Sequence, residues 1–295
     1  MYELVQVGKQ TYYINCPARM GVYVMSNNDV CIIDSGNDKE AGKRVLKILE
    51  ANGWTLKRII NTHSHADHIG GNNFLQQHTG CTIFAPDAEQ AFVQYPLLES
   101  SLLYGGYPMQ ELRNKFLLAK ESNVRALTPE SLPDGLTMLR LDGHSMAMAA
   151  IKTKDDVWFL ADSLSSEAIL QKYHISYLYD VRGYLQSLET VKTLEGSIFI
   201  PAHAEPCQAI CTLADLNIQK VYEVIALITD ITKEPAGFEM ILKSVFDHYG
   251  LQLDFNQYVL VGSTLRSYIS YLHDRGDLQA DFSGNRLTWK AVQAL

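Results

Sequence analysis

The sequence lacks the paired cysteines, long apolar runs and targeting features that would place a protein outside the cell or in a membrane. Its five cysteines are odd in number and scattered over 295 residues, so we expect reduced thiols, as in cytoplasmic proteins. No stretch of about 18 consecutive apolar residues occurs, which argues against a membrane-spanning helix. The first residues lack the basic and apolar regions of a secretory signal. A cytoplasmic protein without a membrane partner is therefore predicted.

The sequence also has no excess of basic residues, because 33 acidic side chains outweigh 25 basic ones and give a net charge of -8. This balance disfavours a broad nucleic-acid-binding surface but leaves room for a local basic patch. With 47% apolar residues, the chain is long and apolar enough to bury a core. We expect one large domain, or a large one and a small one, and a small-molecule partner.

The order of predicted strands and helices indicates an α+β protein with two regions. Residues 1–212 alternate apolar strands with helices, except for a helical and loop-like insertion at 86–127. Residues 213–295 predict a small helical C-terminal domain that ends in a hairpin over 276–291. Strands are predicted at 21–26, 30–34, 56–61, 81–85, 136–141, 146–152, 157–161 and 197–201. Helices are predicted at 41–51, 68–79, 165–172, 182–194, 213–232, 238–249 and 263–274.

Three of the nine histidines fall within six residues, directly after a predicted strand. His63, His65 and Asp67 alternate with a period of two, so in an extended segment their side chains point the same way. His68 follows where the chain turns into a helix, and with Asp67 it can face a second point nearby. Imidazole and carboxylate ligands are those that zinc-like ions favour. The cluster therefore predicts a pair of divalent metal ions.

Three further residues fit the same site, because each follows an apolar strand. His144 comes after the strand 136–141, Asp162 after 157–161, and His203 after 197–201. Taken singly, His144 reads equally well as a surface histidine and Asp162 as a turn residue. Together with the first cluster they predict one metal centre on loops of a rigid scaffold. The other four histidines are interpreted as ordinary: His78, His174, His248 and His273.

These motifs resemble the metallo-β-lactamase-fold superfamily over about residues 10–210. The resemblance rests on Thr62-His-Ser-His-Ala-Asp-His-Ile-Gly-Gly, Asp142-Gly-His-Ser, Asp162 and Pro201-Ala-His. It implies an αββα sandwich with two metals, zinc first and iron or manganese as alternatives. It implies one metal ligated by His63, His65 and His144, another by Asp67, His68 and His203, and Asp162 as the bridge. It also implies that Asp34, at the end of a strand, supports the metal-binding loop 63–68 without binding a metal itself.

The implied chemistry is hydrolysis by a metal-bridging hydroxide, with Asp67 as ligand and as the catalytic group that orients the nucleophile. An ester, thioester or lactone of a small molecule is the expected substrate. Glyoxalase II-like thioesterases share all seven ligands, although their basic tail is not recognisable here. The acyl-homoserine lactonases carry a Tyr where this chain has Ser165; Tyr179 and Tyr184 are candidate replacements.

Three alternatives remain open at this stage. The C-terminal helices and hairpin resemble the winged-helix tail of lactamase-like endoribonucleases, which would make the chain a phosphodiesterase. A mononuclear iron persulfide dioxygenase carries the same first motif. A sensor that keeps the metals without turnover is the third.

The insertion 86–127 has two interpretations. Its apolar and aromatic run, including Leu103, Tyr104 and Tyr107, predicts a substrate lid over the metals. The alternative is a helical pair that packs on the body or forms a homodimer contact.

Overall fold

The computed structural model describes residues 2–292, which form two large sheets, ten α-helices and a C-terminal hairpin. The first sheet has the order β1-β2-β3-β4-β5-β6-β7 and the second β11-β10-β9-β8. The strands of the first sheet are β1 (Glu3–Gln6), β2 (Thr11–Asn15), β3 (Met20–Val24), β4 (Asp29–Ile33), β5 (Thr55–Ile60), β6 (Thr82–Ala85) and β7 (Val124–Ala126). Those of the second are β8 (Leu136–Arg140), β9 (Ala149–Thr153), β10 (Val157–Ser165) and β11 (Ile198–His203).

The helices lie between and after these strands. Seven belong to the sheet-forming part of the chain: α1 (Lys39–Ala51), α2 (Ala66–Ile69), α3 (Asn72–Thr79), α4 (Asp87–Gln94), α5 (Leu97–Tyr104), α6 (Glu167–Tyr173) and α7 (Val181–Lys192). Three follow: α8 (Cys211–Ile231), α9 (Phe238–Tyr249) and α10 (Phe255–Asp274). The hairpin pairs β12 (Leu278–Asp281) with β13 (Thr288–Ala291). No helix within residues 2–292 has the length and apolar character that crossing a bilayer requires.

The four layers are helices, two sheets and helices, and they form because side chains of each strand alternate between the two faces of its sheet. In β4, Val30 and Ile32 pack on one side with helix residues such as Leu49 of α1, while Cys31 and Ile33 face the second sheet. Because side chains of a strand alternate between faces, an uninterrupted apolar strand is buried on both sides. The second sheet repeats this pattern along β10. The αββα sandwich within an α+β fold is therefore confirmed.

The C-terminal helices pack on the outer face of the second sheet. Trp158 and Leu160 of β10 share one apolar cluster with Val224 of α8, Leu242 of α9 and Leu265 of α10. The predicted helical C-terminal region is present, with the hairpin after it. Its core is continuous with that of the sandwich.

Two helix predictions differ from the structure. The helix predicted at 68–79 is broken between α2 and α3, because the His68 carbonyl accepts from the Ser35 amide at 2.8 Å instead of continuing the helical hydrogen bonds. Gly71 lies close to the same residue, since an added Cβ would lie 2.3 Å from the Ser35 carbonyl oxygen. The helix predicted at 263–274 begins earlier, at Phe255, where the side chain of Asp254 accepts from the Gln257 amide and caps the helix.

Candidate metal centre

The predicted ligands meet at one edge of the sandwich, on loops that leave the strand ends. The chain runs from β5 directly into the His63–His68 segment, and His203 is the last residue of β11. Asp162 lies within β10, at a point where the pairing with β11 shifts register around Ala161, which has φ +49°. This irregularity turns the Asp162 carboxylate toward the histidines. Strand ends on both sheets therefore supply one site.

The seven residues form two groups that share Asp162, and within each group the ligand atoms lie within 4.8 Å of one another. The first group is His63, His65, His144 and Asp162; the second is Asp67, His68, Asp162 and His203. In the first, the Nδ1 atom of His65 lies 3.0 Å from the Nε2 atoms of both His63 and His144. In the second, His203 Nε2 lies 3.2 Å from Asp67 Oδ2 and 3.3 Å from Asp162 Oδ2. The grouping coincides with the division expected from the resemblance.

Two buried atoms at the junction of the groups are well placed for a cation. His68 Nε2 and Asp162 Oδ1 lie 3.0 Å apart, yet neither makes a hydrogen bond within residues 2–292. A buried polar atom without a partner carries a desolvation cost that a metal ion would remove. The donor set of imidazoles and carboxylates also suits borderline divalent metals. The residues therefore fit a pair of such ions.

The electrostatics of the first group favour neutral imidazoles. Burial lowers the pKa of His65 to about 4 and that of His144 to about 3, and it outweighs the carboxylates of Asp162 and Asp67, which raise both values. The pKa of His63 is lowered well below its usual range, first by burial and then by His68 and His65. Neutral imidazole is the form that binds metals. At neutral pH these three side chains need lose no proton to act as ligands.

The carboxylates dominate the second group. Burial alone raises the pKa of Asp67 and Asp162, but the neighbouring histidines, His68 and His203, outweigh it and hold both values well below the usual range. Burial lowers the pKa of His203, whereas Asp162 and Asp67 raise it to about 10. The same two carboxylates and Asp34 raise the pKa of His68. This concentration of negative charge attracts a cation, and metal binding there would displace protons.

Asp34 supports the metal loop through three hydrogen bonds. Its carboxylate accepts from the Thr62 amide and hydroxyl, both at 2.8 Å, and lies 2.7 Å from His68 Nδ1. Asp34 has φ +63°, a strained conformation for a residue with a Cβ, at the point where the chain leaves β4. Contacts of this kind fix the orientation of a ligand histidine.

Two buried glutamates beside the site were not anticipated from the sequence. Glu89 of α4 accepts from the Ser64 amide and hydroxyl and from the Ala147 amide, so it ties together the loops that carry His63 and His144. Glu99 of α5 lies 3.6 Å from His65 Nε2, and burial raises its pKa to about 8, with Glu89 and Asp67 adding to the effect. The signal for Glu89 was its position four residues before the buried Val93, on the buried face of α4.

A tyrosine that the sequence did not single out also contacts the site. The ring of Tyr177 lies 5.1 Å from that of His65 and 5.8 Å from that of His144. The two candidates Tyr179 and Tyr184 are placed differently: Tyr184 is buried with its hydroxyl donating to Asn217, and Tyr179 is exposed. Tyr177 is therefore the tyrosine nearest the ligands among these three.

Two cavities open onto the ligands. One, of about 610 Å³, is lined by His65, His144, Asp162 and His203, and the other, of about 450 Å³, by His65 and Asp67. Tyr177 and Leu260 line both of them. Cavities of this size accommodate small molecules.

Residues of the insertion 86–127 line one of these cavities, but they are not the residues predicted from the sequence. Leu103 is buried against Leu112 and Val259 of α10, so it packs on the body and lines neither cavity. Tyr104 and Tyr107 are exposed and line neither cavity. Lys115, Phe116 and Leu117 line the 450 Å³ cavity instead. The packing of α5 against α10 therefore places Leu103 in the core, and the lid roles of Tyr104 and Tyr107 stay a prediction.

A family model described as the metallo-beta-lactamase superfamily matches residues 16–203, the span that contains all seven ligands. The chain belongs to the metallo-beta-lactamase superfamily. The resemblance stated from the motifs is thereby confirmed, and the αββα layers are those of this family.

Curated relatives match only short segments. A hydroxyacylglutathione hydrolase of Methylococcus capsulatus is 54% identical over 39 residues, which cover 13% of this chain and 15% of that protein. Another of Rhodopseudomonas palustris is 37% identical over 83 residues, 28% of this chain and 31% of that protein. The chain therefore spans less than a third of the length of these relatives.

Solved structures match the fold over nearly the whole chain. A beta-lactamase domain protein from Burkholderia ambifaria has a TM-score of 0.76 at 15% identity, covering 98% of this chain and 94% of its own. A metallo-beta-lactamase family protein from Thermus thermophilus has a TM-score of 0.73 at 16% identity, covering 99% of this chain and 98% of its own. These similarities extend through α8–α10.

Proposed function

We propose that this protein is a dinuclear metal-dependent hydrolase that cleaves a thioester, ester or lactone of a small molecule. The observation that carries the proposal is the pair of four-residue ligand groups that share Asp162 at the floor of a cavity of about 610 Å³. The first ion would be held by His63, His65, His144 and Asp162, and the second by Asp67, His68, Asp162 and His203.

Two divalent ions, with zinc favoured by the donor set and iron or manganese as alternatives, would supply an activated water at neutral pH and polarise the substrate carbonyl. The chain's own contribution is positioning. Asp34 holds His68, and Glu89 ties together the loops that carry His63 and His144. Ligands fixed in this way need no rearrangement when substrate arrives.

Asp67 is proposed to orient the nucleophile in addition to binding metal. Its side chain is 40% exposed and lines the 450 Å³ cavity, whereas the ligand His68 is fully buried. One carboxylate oxygen of Asp67 lies 3.2 Å from His203. Its accessible carboxylate can therefore accept a hydrogen bond from an attacking water while the His203 contact fixes its position.

The walls of the larger cavity suit an acyl group. Leu164, Ile169 and Leu260 provide apolar surface next to His144 and Asp162. An apolar wall beside convergent polar groups is typical of small-molecule sites. Thioesters are our first choice within this class, because the curated relatives matched over short segments are named hydroxyacylglutathione hydrolases.

Two of the open alternatives receive less support. A mononuclear iron enzyme would not require the second group of Asp67, His68 and His203, yet that group is assembled as fully as the first. The ribonuclease interpretation depends on the C-terminal hairpin region, and the segment 263–295 is nearly neutral, with four basic against three acidic side chains, whereas phosphate binding by that region would need clustered basic residues. The five free thiols, at Cys16, Cys31, Cys81, Cys207 and Cys211, favour a cytoplasmic location within this proposal.

The test combines metal analysis with a substrate panel. We expect about two divalent ions per chain by inductively coupled plasma mass spectrometry, and turnover of thioesters that a chelator abolishes and added metal restores. Asp162→Ala removes the shared ligand, so both ions should be lost. Its activity should fall by more than about a hundredfold, because altering an outer contact of a metal ligand alone costs up to that much.

The matched control is His248→Ala, which removes an exposed histidine of α9 remote from the ligand groups. It should retain the metals and the activity. Preferential cleavage of bis-nitrophenyl phosphate or RNA, or oxygen uptake with a persulfide substrate, would contradict the proposal. So would one ion per chain with full activity.

A further inference from the structure

A third cavity, of about 330 Å³, adjoins the metal centre on the side of α1 and α3. It is lined by Asp38 and Lys39 at the start of α1, by Phe74 of α3, and by residues 113–115 and 118–120 of the insertion. None of the predicted ligands lines it. Its volume falls at the small end of the range for ligand sites.

The side chains that line this cavity carry a net positive charge, whereas the net charge of the whole chain is negative. Its charged walls are Lys39, Arg113, Lys115 and Lys120 against the single carboxylate of Asp38, an excess of three positive charges, whereas the chain as a whole carries -8. Lys115 pairs with Asp38 at 3.2 Å. Lys39, Arg113 and Lys120 form no ion pair with any residue of the described chain, 2–292. Arg113 donates to the Tyr107 hydroxyl at 3.1 Å, a contact that leaves its positive charge uncompensated. The charges of these three side chains are therefore not neutralised by a carboxylate of the described residues.

The basic cavity adjoins the 450 Å³ cavity that reaches the metal centre. Asn37 and Lys115 line both it and the 450 Å³ cavity that contains His65 and Asp67. Phe116, which is 65% exposed, lines the 450 Å³ cavity beside Lys115. An exposed aromatic ring in a cavity wall offers an apolar contact to a bound molecule. A substrate whose reactive bond lies at Asp67 could extend past Lys115 into the basic cavity.

We propose that the cavity lined by Lys39, Arg113, Lys115 and Lys120 binds an anionic group of the substrate, a phosphate or a carboxylate remote from the scissile bond. This inference rests on the proposed hydrolase function and narrows its substrate class to acyl esters or thioesters with a negatively charged carrier. Arg pairs with both kinds of anion through two parallel hydrogen bonds, and Lys adds point charge. Hydrolysis itself needs only water and yields the acid and the free carrier.

The experiment compares three thioesters of one acyl group that differ only in the carrier thiol. N-acetylcysteamine is neutral, glutathione carries carboxylates, and coenzyme A carries phosphates. On the metal-loaded enzyme, kcat/KM should be higher for one anionic carrier than for the neutral one, mainly through KM. Arg113→Ala/Lys120→Ala should reduce that preference about tenfold, since two exposed charge-assisted contacts are lost. Salt at about 0.5 M should weaken the wild-type preference and leave that of the variant nearly unchanged.

The matched control is Lys43→Ala/Lys47→Ala, which removes the same charge from α1 outside the cavity. It should retain the full preference. A second readout, binding of free coenzyme A, free glutathione and free N-acetylcysteamine by titration calorimetry, does not depend on turnover. If Arg113→Ala/Lys120→Ala weakens the binding of coenzyme A, the anionic group is a phosphate. If it weakens the binding of glutathione, the group is a carboxylate.

The possible failures are separable. If no thioester is cleaved but an anionic thiol still binds and is weakened only by the cavity variant, the hydrolase function is wrong and the anion site stands. If thioesters are cleaved without preference for charge, or if both double variants reduce the preference equally, the anion site is overturned.

Discussion

Burial gives residues of one type different chemistry in this protein. His63 is fully buried among other ligands with a strongly lowered pKa, whereas His248 is exposed on α9. The cysteines show the same contrast. Burial raises the pKa of Cys31 to about 12 and that of Cys16 to about 11, and Cys211 is exposed at the start of α8.

This contrast predicts which thiols react in the folded protein. The thiolate is the nucleophile, so a raised pKa keeps Cys31 and Cys16 protonated and inert at pH 8, below their pKa values. We expect iodoacetamide to modify Cys211 in the native protein, and Cys31 and Cys16 only after guanidinium unfolding, as measured by peptide mass mapping. Cys211→Ser is the control that removes the rapid reaction. Native labelling of Cys31 as fast as that of Cys211 would contradict the prediction.

Single residues were predictable where their types are rare and their spacing is informative. His63, His65 and His68 could be singled out because histidine is uncommon and the three stand in one register. Glu89 and Glu99 could not, because a carboxylate on a helix is common and only the fold shows that theirs is buried. For Leu103 the sequence left both a lid and a packed core open, because an apolar side chain gives the same pattern in either, and the structure places it in a packed cluster.

At the scale of elements, the loop that carries His144 is held by the start of α7. The carbonyl of Gly143 accepts from the amides of Tyr179 and Asp180 at 2.9 and 3.0 Å. Gly143 has φ +114°, and a Cβ there would lie 2.0 Å from the Tyr184 amide nitrogen. Both the conformation and the contact exclude a larger residue.

Gly143→Ala should therefore move the His144 loop away from α7. We expect a loss of about 2–4 kcal/mol in the free energy of unfolding, from backbone strain and steric overlap together, and reduced metal content. Denaturant unfolding and metal analysis measure the two effects. Gly80→Ala is the matched control: it also has a positive φ, +69°, but nothing lies within 4 Å of the added methyl. It should cost only about 1 kcal/mol and keep the metals. Equal losses in both variants would show that the close approach to α7 is unimportant.

Elements were predictable where local signals decide them. The strands of the sandwich are short apolar runs bounded by turns, and α8 and α9 lie close to their predicted bounds. The break between α2 and α3 escaped prediction because it depends on contact with Ser35, which is distant in sequence. Residues 255–262 were missed as the start of α10 because this helix is buried on several sides and has no clean amphipathic stripe.

For the whole molecule, the sandwich and the C-terminal helices share one apolar core. The domain boundary at 212 is a prediction from the change in sequence pattern. The packing adds a physical argument, because one apolar cluster joins Leu160 of β10, Val224 of α8, Leu242 of α9 and Leu265 of α10. Elements that share a core usually unfold in one cooperative step.

Leu242→Ala tests this coupling at a residue far along the chain from the ligands. Leu242 is 2% exposed, so truncation should cost about 2–5 kcal/mol. Because the sandwich shares this cluster with the C-terminal helices, we expect the variant to lower the midpoint of metal release and of loss of secondary structure by the same amount. Met240→Ala, on the same helix but 57% exposed, should change stability by no more than about 0.5 kcal/mol. The opposite result would be an unchanged midpoint of metal release while part of the helical signal is lost at lower denaturant. It would establish two independently folding units, because the two regions can respond separately only if the shared cluster is not essential to the sandwich.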